Sequence, residues 1–406
     1  MTARPETRLS ADARGRETKF HASWNTTWLG LRERATMDCC RVHRPARRPS
    51  GCSDIPRRLS VRMESPLPHD PVPTVRGPVA AADLGVTLAH EHLFVLSSEF
   101  QSNFPHLWDR EAGVREAVRQ LEEAYAAGVR TLVDMTVLGQ GRDINLVRAV
   151  AERTAVNIVL ATGVYSVDGI PLFARFRGPG AAIEAEDPLI ELLLRDVTTG
   201  IADSGVRAGL VKFACERTPP DASAHRMAAV VAEVHRHTGV PVVVHCDPFE
   251  GNGVHLVRLL EKEGVAAGSV VVAHAGDSAD LNGLRALADT GCVLGYDRYG
   301  MTPFAPDEQR NATLAALVRA GHTAQLLVSQ DHPVHIDYLT VEQRERTYPG
   351  WSYVHLFERV LPLLLKEPGV DEGTVRTLLV DNPRRLLSRI AAPRPADART
   401  EARDAA

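Results

Sequence analysis

Eight short β-rich runs alternate with helical patterns along most of this 406-residue chain, and that alternation limits the fold to a parallel α/β architecture. The runs are Val86–His92, Thr131–Thr136, Asn157–Tyr165, Ala208–Ala214, Pro241–Cys246, Ser269–Gly276, Cys292–Arg298 and Gln325–Asp331. Most are continuously apolar rather than alternating, as strands buried on both faces read. Helical patterns fall between them at Arg110–Ala127, Asp143–Thr154, Asp187–Asp203, Asp221–Thr238, Gly253–Glu263, Ser278–Thr290 and Asp307–Ala320. Several begin with Asp or Ser, and Gly128, Gly239, Gly264, Gly291 and Gly321 mark their ends. Eight strands with helical crossovers predict a (β/α)8 TIM barrel. The alternative is an open doubly wound sheet. Polar residues gather at the C-terminal ends of many strands, where barrel active sites lie, and this favours the barrel.

The barrel is expected over 63–391, with Ser352–Leu365 as its last large helix. In DNPRRLL, Asp381 or Asn382 is expected to cap a short helix that has Pro383 at its first position. Three long loops follow the first, third and eighth strands: Leu93–Asp109, Ser166–Asp187 and His332–Gly350. The last two are the expected substrate walls.

Charge divides the chain. Residues 1–62 hold 14 Lys+Arg against 6 Asp+Glu, and the remainder 33 against 45, so a basic segment of +8 precedes an acidic body of −12. The acidic body argues against nucleic-acid binding. Residues 1–62 read as a disordered Arg-rich extension, with the physiological start expected at or near Met63, and 392–406 as a disordered tail. No apolar run approaches the roughly 18–20 residues that span a bilayer, and no signal core is evident, so no membrane association and a cytoplasmic location are expected. The six cysteines form no CxxC pair or dense framework. Cys246 is expected to point outward as an inert thiol.

His90 and His92 close the first strand. Side chains two apart on a strand share a face, so both imidazoles aim the same way, as half of a metal site does. His235 and His237 repeat the spacing inside a helical pattern, where residues two apart diverge, and are rejected. Lys212 lies in the fourth strand, His245 ends the fifth, His274 the sixth and Asp331 the eighth. Singly, a strand-end His satisfies a local polar group, a strand Lys pairs with a carboxylate and a strand-end Asp caps a turn. Six such residues at one rim point to a ligand set. A buried lysine is easily neutralised. As a free amine beside a metal it can take up carbon dioxide, and the resulting carbamate has two anionic oxygens. Nitrogen and oxygen donors suit zinc, manganese, cobalt or iron.

In order along the chain, HEH, GRD (Gly141–Asp143), ATGVY, VKFA, VVVHCD, AHAGDS, GYDRYG and SQD resemble the phosphotriesterase family of the amidohydrolase superfamily, most of all its phosphotriesterase-like lactonases. The resemblance covers about Val72 to Leu387. It implies two divalent metal ions: one held by His90, His92 and Asp331, the other by His245 and His274, with carboxylated Lys212 (N6-carboxylysine) and a hydroxide between them. Arg298 after Asp297 is similar to the lactonase branch, since phosphotriesterases proper usually carry His there. Tyr165 falls where lactonases place a tyrosine over the metals, and Tyr338 where several have a tryptophan at the entrance. Asp297 is expected behind the ligands or in the pocket, and Asp277 either to orient neighbouring groups or to cap a helix. Glu91 is expected to face the barrel wall, without a catalytic role.

The function expected on these grounds is hydrolysis of lactones, N-acyl-homoserine lactones or related, with Asp331, Tyr165 and Arg298 as catalytic groups and organophosphate triester hydrolysis as a side activity. The alternatives are hydrolysis of other carboxylic esters or amides, a dedicated phosphotriesterase, and a non-catalytic metal-binding barrel. The partner is a small-molecule lactone or ester, and the resemblance implies a homodimer.

Overall fold

Valine-rich segments buried on both faces form the strands, and a computed structural model describes residues 71–388 of the chain. The expected 1–62 extension and 392–406 tail lie outside the described residues. The strands are β1 (Val86–Val95), β2 (Val129–Asp134), β3 (Asn157–Val164), β4 (Leu210–Cys215), β5 (Val242–Cys246), β6 (Val270–Ala273), β7 (Val293–Tyr296), β8 (Leu326–Val328) and β9 (Pro333–Ile336). Each pairs in parallel with its neighbour, in the order β8-β7-β6-β5-β4-β3-β2-β1-β9. β8 lies beside β7, and β9 lies on the far side of β1. The eighth strand of the barrel is therefore one strand interrupted at residues 329–332. Across that gap the His90 amide donates to Ser329 Oγ, the Asp331 amide to the His90 carbonyl and the His92 amide to the His332 carbonyl. These bonds close the (β/α)8 barrel.

The interruption corrects two expectations. The eighth strand does not run unbroken to Asp331, because Asp331 adopts a left-handed backbone (φ 54°) that turns the chain out of the ladder. The segment after His332 is not all loop: it opens with β9 and later forms a helix, Val341–Thr347. β1 also runs three residues past His92.

Period-two alternation splits the core. Val159, Ala161, Leu210, Val243, Val271, Ala273 and Leu327 fill the barrel interior, while Val211, Phe213, Val242, Val244 and Cys246 pack outward against the helices. Cys246 faces outward as expected and donates to the Ala273 carbonyl. The same alternation carries Lys212 inward two residues after Leu210, and His245 two after Val243.

Helix starts follow their sequence signals. Asp109, Asp143, Asp187, Asp221 and Asp280 each accept from backbone amides of a first turn, satisfying donors that have no partner inside the helix. The C-terminal region departs from expectation. The expected helix over Ser352–Leu365 contains a π-helical turn, Leu356–Val360, just ahead of Pro362. A second π turn, Thr377–Asp381, precedes Pro383. Proline cannot donate to the ordinary helical acceptor, so the turn before it is free to widen. Asp381 therefore sits in helical backbone and caps nothing. Asn382 donates instead to the Leu326 carbonyl, tying this helix to β8.

Candidate metal centre

His90 and His92 come from the end of β1, where the β1–β2 register slips between Leu88 and Glu91. A bulge of this kind re-aims side chains beside a site. Lys212 comes from β4 and His245 from β5. His274 follows β6 with a left-handed backbone (φ 65°), and Asp331 lies in the break of the last strand. Only four non-glycine residues among those described have positive φ, and two of them are at this site. Such conformations persist where the surroundings enforce them.

The six side chains meet in two adjoining groups. Asp331 Oδ1 is 3.3 Å from His92 Nε2 and 3.5 Å from His90 Nε2, and Lys212 Nζ is 3.4 Å from His90 Nε2. Metal–nitrogen bonds of about 2.0–2.1 Å at tetrahedral angles put ligand atoms roughly 3.3–3.4 Å apart, so this spacing suits a common cation. In the second group His245 Nδ1 and His274 Nε2 face each other at 2.8 Å. The groups adjoin through His90 and His274, whose ring centroids are 5.1 Å apart.

The outer nitrogens fix which ring atoms face inward. His274 Nδ1 lies 2.9 Å from Asp297 Oδ1, His90 Nδ1 2.9 Å from Asp297 Oδ2, and His245 Nε2 2.9 Å from Glu216 Oε1. His92 Nδ1 lies 2.8 Å from Thr136 Oγ1, and the Thr136 amide donates to Asp134. A carboxylate partner places the ring proton on the outer nitrogen and leaves the inner lone pair bare. His245 and His274 then aim two lone pairs at each other at 2.8 Å, an arrangement that a cation bound by both, or a proton shared between them, relieves. The residues present therefore fit a metal.

Electrostatics agree with this. Burial pushes His92 and His274 down and His245 down to about 4, leaving the neutral, ligating imidazole. Burial also lowers the Lys212 ammonium to about 8. Burial raises the Asp331 carboxyl, but the imidazoles of His90 and His92 outweigh that and hold it well below the usual range.

Arg298 is almost fully buried after β7. Its Nε lies 3.2 Å from Asp331 Oδ2, its Nη1 3.3 Å from Asp277 Oδ2, and its guanidinium 4.9 Å from the Phe304 ring centroid. Asp277 is not a helix cap: Asp280 caps the following helix, and Asp277 is gripped between Arg298 and the fully buried Arg310. Tyr165 follows β3 with its ring edge-on to His245, centroids 5.3 Å apart. Tyr338 stands at the rim, 63% exposed, beside Asp337, which ties the first and last loops together by accepting from Ser97.

Asp134, Thr136, Glu216 and Arg310 were not singled out by sequence. Asp134 and Glu216 carried a usable signal, since each is an acidic residue at the end of an apolar strand. Arg310 sits in a helical pattern that marks it in no way. Glu91 does face the wall, and it is fully buried there.

Imidazoles, a lysine and a carboxylate converging at the C-terminal rim of the barrel stand where barrel enzymes carry their active sites, and fold and site put this chain among them. The model of the phosphotriesterase family matches residues 70–387, and the chain belongs to that family. It is 38% identical over 317 residues to a phosphotriesterase homology protein of Mycobacterium tuberculosis, covering 78% of this chain and 97% of that protein. It is 32% identical over 312 residues to an aryldialkylphosphatase of Saccharolobus solfataricus, covering 76% and 97%. The solved structure of the phosphotriesterase from Mycobacterium tuberculosis aligns with a TM-score of 0.77 at 37% identity, covering 79% of this chain and 98% of that one. No helix among the described residues is long and apolar enough to cross a membrane.

Proposed function

We propose that the chain is a binuclear metal-dependent hydrolase that opens lactones, N-acyl-homoserine lactones or related, and hydrolyses organophosphate triesters as a side activity. The observation that carries the lactone reading is Arg298, a buried guanidinium held between Asp277 and Asp331 beside the candidate ligands. It is a fixed donor in the position where the lactonase branch carries arginine.

In this reading His90, His92 and Asp331 hold one cation and His245 and His274 the other. Lys212, its neutral Nζ carboxylated by carbon dioxide with release of a proton, would supply an anionic oxygen donor beside them. Two divalent ions there, zinc or else manganese, cobalt or iron, would supply an activated water and a Lewis acid for the substrate oxygen. Asp331 takes the nucleophile's proton and passes it to the leaving alkoxide. Arg298 holds the Asp331 carboxylate in place, and Tyr165 packs over His245 to position the lactone ring. Tyr338 borders the entrance, where it contacts the acyl chain. No covalent enzyme intermediate is needed. Asp297, Glu216 and Thr136 orient the imidazoles from behind. A homodimer is part of the proposal, as is a cytoplasmic location.

The name of the Saccharolobus relative supports a second reading, in which triester hydrolysis leads. Kinetics on a lactone panel set against paraoxon separate the two. The lactone reading expects the highest kcat/KM on a lactone, and a paraoxon value far above every lactone overturns it.

A further inference from the structure

Glu91 stands between two candidate ligands and turns its carboxylate away from both. Its Oε1 accepts from Ser329 Oγ at 2.7 Å and from the Gln330 amide at 2.8 Å, and its Oε2 accepts from the His332 amide at 2.7 Å. Ser329 Oγ in turn accepts from the His90 amide at 3.0 Å. All three donors come from the four residues that interrupt the eighth strand, and they flank Asp331 on both sides.

The interruption creates a local problem. Residues 329–332 lie between the two halves of the strand with only part of the ladder kept, and Asp331 is held in a left-handed conformation that costs a non-glycine residue on the order of 1–2 kcal/mol. The buried amides of Gln330 and His332 need acceptors. Glu91 supplies both; burial pushes its carboxyl well above the usual range, and the bonds from Ser329, Gln330 and His332 pull against that. The rest of the gap is braced from outside: Trp351 Nε1 donates to the Gln330 carbonyl, and Gln330 Nε2 donates to the Tyr353 carbonyl. Glu91 is the brace that comes from the strand carrying the histidines. A shift of Glu91 would therefore move Asp331 relative to His90 and His92.

We propose that Glu91 is a positioning residue: its carboxylate clamps Ser329, Gln330 and His332 so that Asp331 is presented to His90 and His92 at cation-holding distance. The proposal rests on the reading above that Asp331 holds a metal and carries a proton.

Glu91→Gln keeps the side-chain size but turns an amide N–H towards a donor. Loss of support behind a ligand lowers metal affinity or activity by about 10–100-fold, and that loss is expected in kcat on the best lactone and in cobalt affinity of the metal-free protein measured by chelator competition. KM should stay within about threefold, since Glu91 does not touch substrate. In an Asp331→Asn background the same replacement should change kcat by less than about twofold, because its effect passes through Asp331. Wild-type kcat and cobalt affinity in Glu91→Gln, or the same kcat loss in both backgrounds, would overturn the proposal. Should Glu91→Gln not fold, Ser329→Ala removes one donor and leaves the carboxylate. A smaller loss of kcat and cobalt affinity supports the clamp, and wild-type values overturn it. A wild-type protein that opens no lactone ends the functional reading, while cobalt affinity still decides the role of Glu91.

Discussion

The amide of Asp331 donates to the carbonyl of His90 at 3.0 Å, and the side chains of the same two residues meet again at 3.5 Å between Oδ1 and Nε2. One pair of residues thus closes the barrel and joins the candidate ligand set. The contact that docks the last strand on the first also brings Asp331 to the histidines. Metal binding should accordingly stabilise the closed barrel by mass action.

Asp331→Asn tests the proton-carrying role apart from the ligand role. An amide keeps the shape and one oxygen donor but cannot take the nucleophile's proton. The variant is expected to keep most of its metal by elemental analysis and to lose about 10²–10⁴-fold in kcat, the usual range for a general acid–base group. Near-normal turnover would remove Asp331 from proton transfer.

Lys212 makes a prediction for the metal-free protein in carbonate-free buffer. Its ammonium is lowered from 10.5 to about 8, chiefly by burial. Below about pH 8 it is charged in both folded and unfolded states, and the full burial cost is present. Between the two values the unfolded chain binds a proton that the folded chain does not, so stability rises with pH and gains on the order of 3 kcal/mol. Lys212→Met lacks this titration. Denaturation at about pH 7 and about pH 10 should therefore show the variant's advantage shrinking as pH rises. A difference that does not change with pH contradicts the buried, easily neutralised amine on which carboxylation depends.

Carboxylation itself is read by Lys212→Ala. Loss of an anionic ligand should cost more than the roughly 10–100-fold seen for supporting groups, and a short carboxylic acid added to the assay should restore part of the activity. Full activity without rescue takes the carbamate out of the mechanism.

Arg298 couples stability and activity. Arg298→Met leaves Asp331 with the imidazoles of His90 and His92 and Asp277 with Arg310 alone, and breaking a buried pair in this way costs about 3–5 kcal/mol. Arg298→Lys keeps the charge, but a point-like ammonium cannot reach both carboxylates, so a loss of roughly 1–3 kcal/mol is expected. Urea unfolding measures both, and equal midpoints for wild type and Arg298→Met would refute the bridging role.

Much of this was legible in the sequence, and for a physical reason. Strand-end residues such as His90, His92, Lys212 and His245 follow from period-two alternation, which sequence displays directly. His274 and Asp331 were found by their place after apolar runs, but their left-handed backbones were not, because nothing in AHAG or SQDH calls for positive φ. The split of the last strand into β8 and β9 was missed for the same reason. Asp297 was placed beside the site, but its contacts with His90 and His274 were not; Glu216 and Arg310 act through partners far away in the chain, and no local pattern names those partners. Glu91 was placed on the correct face, yet its three donors appear only once the first and last strands are side by side.

Gly163 gives the last test, on the seam that carries Lys212. In ATGVY it pairs across β3–β4 with Lys212 itself, at φ 133°, and a Cβ there would lie 1.8 Å from the Lys212 carbonyl oxygen. That oxygen belongs to a ladder strand and cannot retreat as a side-chain tip can. Gly128 is the control, with φ 111° and nothing within 4 Å of a built Cβ. Gly128→Ala should cost about 1–2 kcal/mol from backbone conformation alone. Gly163→Ala adds a backbone clash, so a loss above about 4 kcal/mol is expected, together with poor soluble yield and reduced metal content as β4 shifts. Unfolding midpoints that rank the two variants equally would show that β3 and β4 can separate without disturbing Lys212.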